Sequence, residues 1–132
     1  MSALFMLDTD SVSYALRGQG RVGERIAAHR PSELCVSAIT AAELRFGATR
    51  RKSAKLHALL DAFLRSVVVV PFDESCAVEF GRVASELADR GSVIGDFDAM
   101  IGAHAVVAEA TLVTNNVKHF TRIRGLRVEN WL

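Results

Sequence analysis

The chain has 132 residues, half of them hydrophobic, and a formal net charge of +1. That is enough chain for one core without disulfides or structural metal, and no apolar run approaches the ~20 residues a membrane helix needs. The near-neutral balance by itself speaks neither for nor against a nucleic-acid partner, and the opening Met1-Ser2-Ala3-Leu4-Phe5-Met6-Leu7 lacks the basic flank of a secretory leader, so a cytoplasmic location is expected.

In chain order, Ala3 to Leu7 reads as a central strand covered on both faces, ending abruptly in Asp8-Thr9-Asp10. Ligands of open α/β sheets bind just past the carboxyl ends of strands, which puts Asp8 where chemistry is done. A short helix over 10–17 follows, with Asp10 and Ser11 as its expected caps and Gly18 as its stop, then a second over 22–29 ended by Pro31. Residues 33–37 form a second buried strand. Helices over 39–50 and 53–65 make a hairpin, and Val67-Val68-Val69-Val70, bounded by Pro71, is the clearest strand signal.

A long helix is expected over 73–90 with Ala77, Phe80, Val83, Ala84 and Leu87 inward, and another over 96–108 with Asp96 as its N-cap. Residues 111–114 read as a strand that ends in the turn Asn115-Asn116, and a last strand covers 126–129. Alternating strands and helices predict an α/β fold, a three-layer α/β/α sandwich with a mainly parallel central sheet, formed by residues 1–132 as a single domain. Cys35 and Cys76 sit in apolar surroundings without ligand spacing and read as buried thiols.

Of fifteen acidic residues, three are oddly placed. Asp8 ends a strand. Glu43 shares a helical face with Ile39, Phe46 and Gly47, and Asp98 one with Ile101, Gly102 and Ala105, which points both carboxylates toward the protein. Gathered carboxylates repel and persist only with protons, bases or a cation. No lysine or arginine shares those faces, so a hard divalent ion is the expected neutraliser, and oxygen-only ligands select magnesium or manganese. Such a site activates water against a phosphodiester, which is nucleic-acid hydrolysis.

Each residue has a blander reading: Asp8 as a helix cap, Glu43 as a partner of Arg50, and Thr114, Asn115 and Asn116 as turn formers rather than groups that hydrogen-bond water or phosphate. His104 and His119 read as packing or surface residues. Two stretches carry only bases, Arg45, Arg50, Arg51, Lys52 and Lys55 between Glu43 and Asp61, and Lys118, Arg122, Arg124 and Arg127 between Glu109 and Glu129. One-signed stretches suit a polyanion, and equally a solvated face or a partner's acids.

Four blocks in this order, Met6-Leu7-Asp8-Thr9-Asp10, Ser37 through Gly47, Ile94 through Ala105 and Leu112 through Phe120, together resemble PIN-domain proteins of the VapC toxin group, over essentially the full length. The resemblance implies a Mg2+-dependent endoribonuclease, with Mn2+ as substitute, acting as the toxin of a toxin–antitoxin pair. It implies a homodimer neutralised by a VapB-type antitoxin, and an RNA substrate with the initiator tRNA anticodon loop as the first candidate. Carried over to this chain, Asp8, Glu43 and Asp98 are the catalytic acids, with Asp8 and Asp98 the leading metal ligands. Thr9 and Thr114 are polar supports, and Arg45, Arg50 and Lys118 are candidates for contacting RNA. Where the family often has a fourth acid this chain has Asn116, which ligates without charge, with Asp96 as the acid that compensates; Asp10 replaces the family's usual asparagine.

The rival is a haloacid-dehalogenase-like phosphatase, whose Asp-x-Asp-x-Val pattern Asp8-Thr9-Asp10-Ser11-Val12 satisfies with Asp8 as nucleophile and Asp10 as acid/base. Against it, residues 91–95 are too short for the strand that should precede its metal-binding acids, no lysine lies between Lys55 and Asp96, and Glu43 has no role. A third reading, a non-catalytic PIN-like binding module, is disfavoured by the intact trio of acids.

Overall fold

The computed structural model describes residues 3–132. Five strands, β1 (Phe5–Leu7), β2 (Leu34–Ser37), β3 (Val68–Val70), β4 (Thr111–Val113) and β5 (Arg127–Glu129), form one sheet in the order β3-β2-β1-β4-β5, every pair parallel. Helices cover both faces, the predicted three-layer arrangement. Successive strand residues divide between the faces with the period of two that the pleat imposes. Met6, Cys35 and Leu112 enter one core with α5 (Glu74–Asp89) and α6 (Asp96–Val107). Leu7, Val36 and Val113 enter the other, with α1 (Thr9–Leu16), α2 (Val22–Ala27), α3 (Ala38–Arg50) and α4 (Ala54–Arg65). Each such side chain, fully withdrawn from water, contributes about 1.5–3 kcal/mol of burial.

Chain order steps from β1 to β2 to β3 on one side, then crosses to place β4 on the other side of β1. The crevice between β1 and β4 is therefore the topological switch point, where ligands bind in such sheets. A four-residue helix, α7 (Val117–Phe120), follows β4 and was not foreseen; it hangs Phe120 in the α5–α6 core. α6 is buried nearly all round, and Gly102 is its point of closest approach: a Cβ there would stand 2.4 Å from the Ile123 side chain.

Several expectations are corrected. β3 is an edge strand, with Val68 55% exposed. In α5 Cys76, Val83 and Leu87 are buried and Ala77 faces solvent, so the inward stripe begins one residue earlier than predicted. In α3 Thr40, Leu44 and Ala48 bury and Ile39 packs against the core, whereas Phe46, expected on the inward face with Glu43, is 69% exposed. The N-cap of α6 is Gly95, and Asp96 is its exposed first residue. Cys35 and Cys76 are both buried and unpaired, burial pushing the Cys35 thiol up to about 11. Among the described residues no helix is long and apolar enough to cross a membrane.

Candidate active site

β1 passes into α1 through a single residue, Asp8, whose extended backbone and buried side chain make it the N-cap. Its Oδ1 accepts from the Ser11 amide at 2.8 Å. The cap is thus Asp8, neither Asp10 nor Ser11, and the structural and functional readings of this residue coexist because one oxygen serves the helix. Burial raises the Asp8 carboxyl above its ordinary range, opposed by hydrogen bonding from Thr114 and Ser11, and the Asp10 charge raises it further.

Glu43 stands in the second turn of α3, which starts without a loop from β2: Ser37 is both the last strand residue and the cap. The Thr9 hydroxyl donates to Glu43 Oε1 at 2.6 Å, tying α1 to α3, and no bond to Arg50 forms. Burial, despite that hydrogen bond, raises the Glu43 carboxyl, as do the charges of Asp98 and Asp10. Asp98 lies in the first turn of α6 and accepts from His119 Nε2 through its Oδ2 at 3.1 Å. Asp8, Asp10 and Asp98 all sit at helix N-termini, where the helix dipole favours negative charge.

These side chains line one cavity of about 220 Å³, formed by Asp8, Thr9, Asp10, Glu43, Asp98, Asn116 and Phe120. Four carboxylates and an amide therefore face one space with no lysine or arginine among its walls. The predicted trio converges there, joined by Asp10, which sequence reasoning had assigned to capping. Thr114 is fully buried behind Asp8, its Oγ1 accepting from the Asn116 amide at 3.0 Å. Asp96 is not among the lining residues. Arg45 is held away from the cavity by Asp61 and His57, whereas Arg50 and Lys118 are exposed. Asn115 turns toward the Tyr14 hydroxyl. His104 is buried and its Nδ1 hydrogen-bonds with Ser37 Oγ at 2.8 Å.

As the side chains stand, no three His, Cys, Asp or Glu among the described residues enclose a point close enough to hold an ion directly. The donor set nevertheless fits a hard cation. Carboxylates without a counter-charge spread apart, and magnesium keeps several waters while one or two carboxylates anchor it. The phosphatase reading loses its support: no strand precedes α6, where 91–95 is a turn and coil, and Glu43 lies inside the cavity.

The family pattern described as PIN domain matches residues 5–126. Ribonuclease VapC2 of Rickettsia felis is 34% identical over 131 residues, 97% of this chain and 98% of that protein. The tRNA(fMet)-specific endonuclease VapC of Salmonella typhimurium is 33% identical over 129 residues, 96% of this chain and 97% of that one. In the crystal structure of VapBC2 from Rickettsia felis bound to a DNA fragment from their promoter, one chain superposes with a TM-score of 0.91 at 32% identity, covering 98% of this chain and 99% of that one.

Proposed function

We propose, for a chain that belongs to the PIN-domain family and to its VapC ribonucleases, that it is a single-domain, divalent-metal-dependent endoribonuclease, the toxin of a type II toxin–antitoxin module, neutralised by a VapB-type antitoxin. The observation that carries this reading is the convergence of Asp8, Asp10, Glu43 and Asp98, from the N-terminal turns of three separate helices, on one cavity that has no basic side chain in its walls. We assign Mg2+ as the ion, with Mn2+ as substitute. When bound, it supplies Lewis acidity toward a phosphodiester and its attacking water.

Asp8 and Asp98 hold the ion. Asp8 is steadied by the Ser11 N–H on one oxygen. Glu43, fixed through Oε1 by Thr9, would orient the attacking water with its other oxygen, and Asn116, which lines the same cavity, would supply an uncharged ligand. Phe46, one turn from Glu43, and Phe97, beside Asp98, are 69% and 57% exposed; single-stranded RNA bases stack on such rings. Arg50 and Lys118 attract the phosphates.

A groove of about 260 Å³ between α1, α3 and α4 shares Thr9, Asp10 and Glu43 with the acidic cavity, and its walls mix Leu16 and Leu60 with Arg17 and Arg51. An antitoxin segment seated there covers the acids. By analogy with the Salmonella typhimurium relative, the initiator tRNA, cut in its anticodon loop, is the first substrate to try. A second copy completes the toxin as a homodimer. The test is to induce the wild type and Asp8→Asn in cells and map the new 5′ ends of RNA, with the purified chain assayed in Mg2+, Mn2+ and chelator. Cleavage that survives the substitution or the chelator defeats the proposal.

A further inference from the structure

Asp98 is a cavity carboxylate that its own helix does not hold. It occupies the third position of α6, from which an acidic side chain ordinarily folds back onto the cap amide. The cap here is Gly95, which offers no side chain, and Asp98 makes no such return bond. Its side chain is 41% exposed, so nothing in α6 fixes its rotamer. The contact that does so comes from outside: His119 Nε2 stands 3.1 Å from Asp98 Oδ2.

The ring that makes this contact is itself held. His119 packs edge to face on Phe120, with centroids 5.4 Å apart and planes at 85°. Phe120 is 1% exposed in the α5–α6 core and also lines the acidic cavity. The short helix α7 that carries both residues is tied to the end of β4, since the Asn116 amide donates to Thr114 Oγ1 and the His119 amide to the Asn116 carbonyl. A chain of packed and hydrogen-bonded groups thus runs from the buried Thr114 to one oxygen of Asp98.

From this geometry we infer that His119 is a positioning residue of the metal centre: its Nε2–H pins Oδ2 of Asp98 and would leave Oδ1 free to ligate the ion. The inference rests on the metal-centre reading above and adds a residue that reading does not need. A donor that holds a ligating carboxylate fixes its orientation without competing for the ion, and loss of such outer partners weakens metal binding about 10–100-fold.

The test uses the full chain and Mn2+ alone, titrated by calorimetry at about pH 8, well above the ordinary range of imidazole, with thermal unfolding as a fold control. His119→Ala should weaken Mn2+ binding by at least about tenfold without loss of fold, and His119→Gln, whose amide N–H reaches the same place, should restore it to within a few-fold. Unchanged or tighter binding by the alanine variant, or a glutamine variant as weak as the alanine one, overturns the role of His119. A wild type that binds Mn2+ no better than Asp8→Asn overturns the metal centre itself, and the inference with it.

Discussion

Asp8 is the residue on which fold and site make opposite demands, and two substitutions separate them. Asparagine keeps the oxygen that accepts from the Ser11 amide at 2.8 Å and removes the charge; alanine removes both. Loss of an N-cap acceptor costs about 1 kcal/mol. For 132 residues the unfolding entropy is about 0.28 kcal/mol/K, so Asp8→Ala should melt roughly 3–4 °C below Asp8→Asn. The charge has the contrary sign. Burial raises the Asp8 carboxyl in the folded chain, so at neutral pH the ionised group penalises folding, and the penalty disappears as pH falls through the folded value.

Without divalent ions Asp8→Asn should therefore be at least as stable as the wild type at neutral pH. Mg2+ at ten times its dissociation constant should stabilise the wild type by about 1.4 kcal/mol, or roughly 5 °C, and leave Asp8→Asn unmoved. Calorimetric melts of the three proteins with EDTA and with Mg2+ decide the matter. An asparagine variant less stable than the wild type in EDTA, or equally stabilised by Mg2+, would refute the reasoning.

Thr9→Val removes the hydroxyl that holds Glu43 and should lower kcat/KM for RNA about tenfold, some 1.4 kcal/mol, while Thr9→Ser retains activity; equal activity of the valine variant means Glu43 is oriented otherwise. Phe97→Ala should raise KM several-fold with an unchanged melting temperature, because the ring is 57% exposed, and an unaltered KM would remove it from the RNA path. His104 is pushed down by burial, so below about pH 6.5 the unfolded chain takes up a proton that the folded chain resists, and stability declines on acidification. Urea unfolding of wild type and His104→Gln between about pH 7 and 5 should give a shallower decline for the variant, since the contributions of Asp8 and Glu43 cancel in the comparison. Parallel curves would show that His104 is not the group responsible.

Strands and helices were legible where periodicity and stops agreed. β2 ends at Ser37 as expected, α4 and α5 lie within a residue of their predicted bounds, and Asp8, Glu43 and Asp98 meet in one cavity. What escaped was set by tertiary geometry. Capping was expected from Asp10 and Ser11 because both are good cap residues, but the cap is whichever residue holds extended backbone at the junction, and β1 leaves only Asp8 there. Four residues cannot show a helical period, so α7, and with it the approach of His119 to Asp98, left no signal beyond the polar turn after β4. The inward direction of Glu43 was legible, but not the exposure of Phe46 beside it, because the helix meets the sheet through Thr40, Leu44 and Ala48.

The way the acids are held distinguishes this cavity from the ion-paired carboxylates of the surface. Asp61 is paired with Arg45, and Glu79 and Glu86 share Arg82, each acid finding a permanent cation on the surface. In the cavity the donors are a backbone amide for Asp8, a hydroxyl for Glu43 and an imidazole for Asp98. An arginine 4 Å from a carboxylate near the surface contributes about 4 kcal/mol of attraction, which an arriving cation would have to displace. Donors of the kind present here fix one oxygen of each group and leave its charge in place, so the Asp8 and Glu43 carboxyls stay raised, by burial first and by the neighbouring acids second. Neutralising them with an internal arginine would make a more stable chain and a pocket that no longer draws a metal ion.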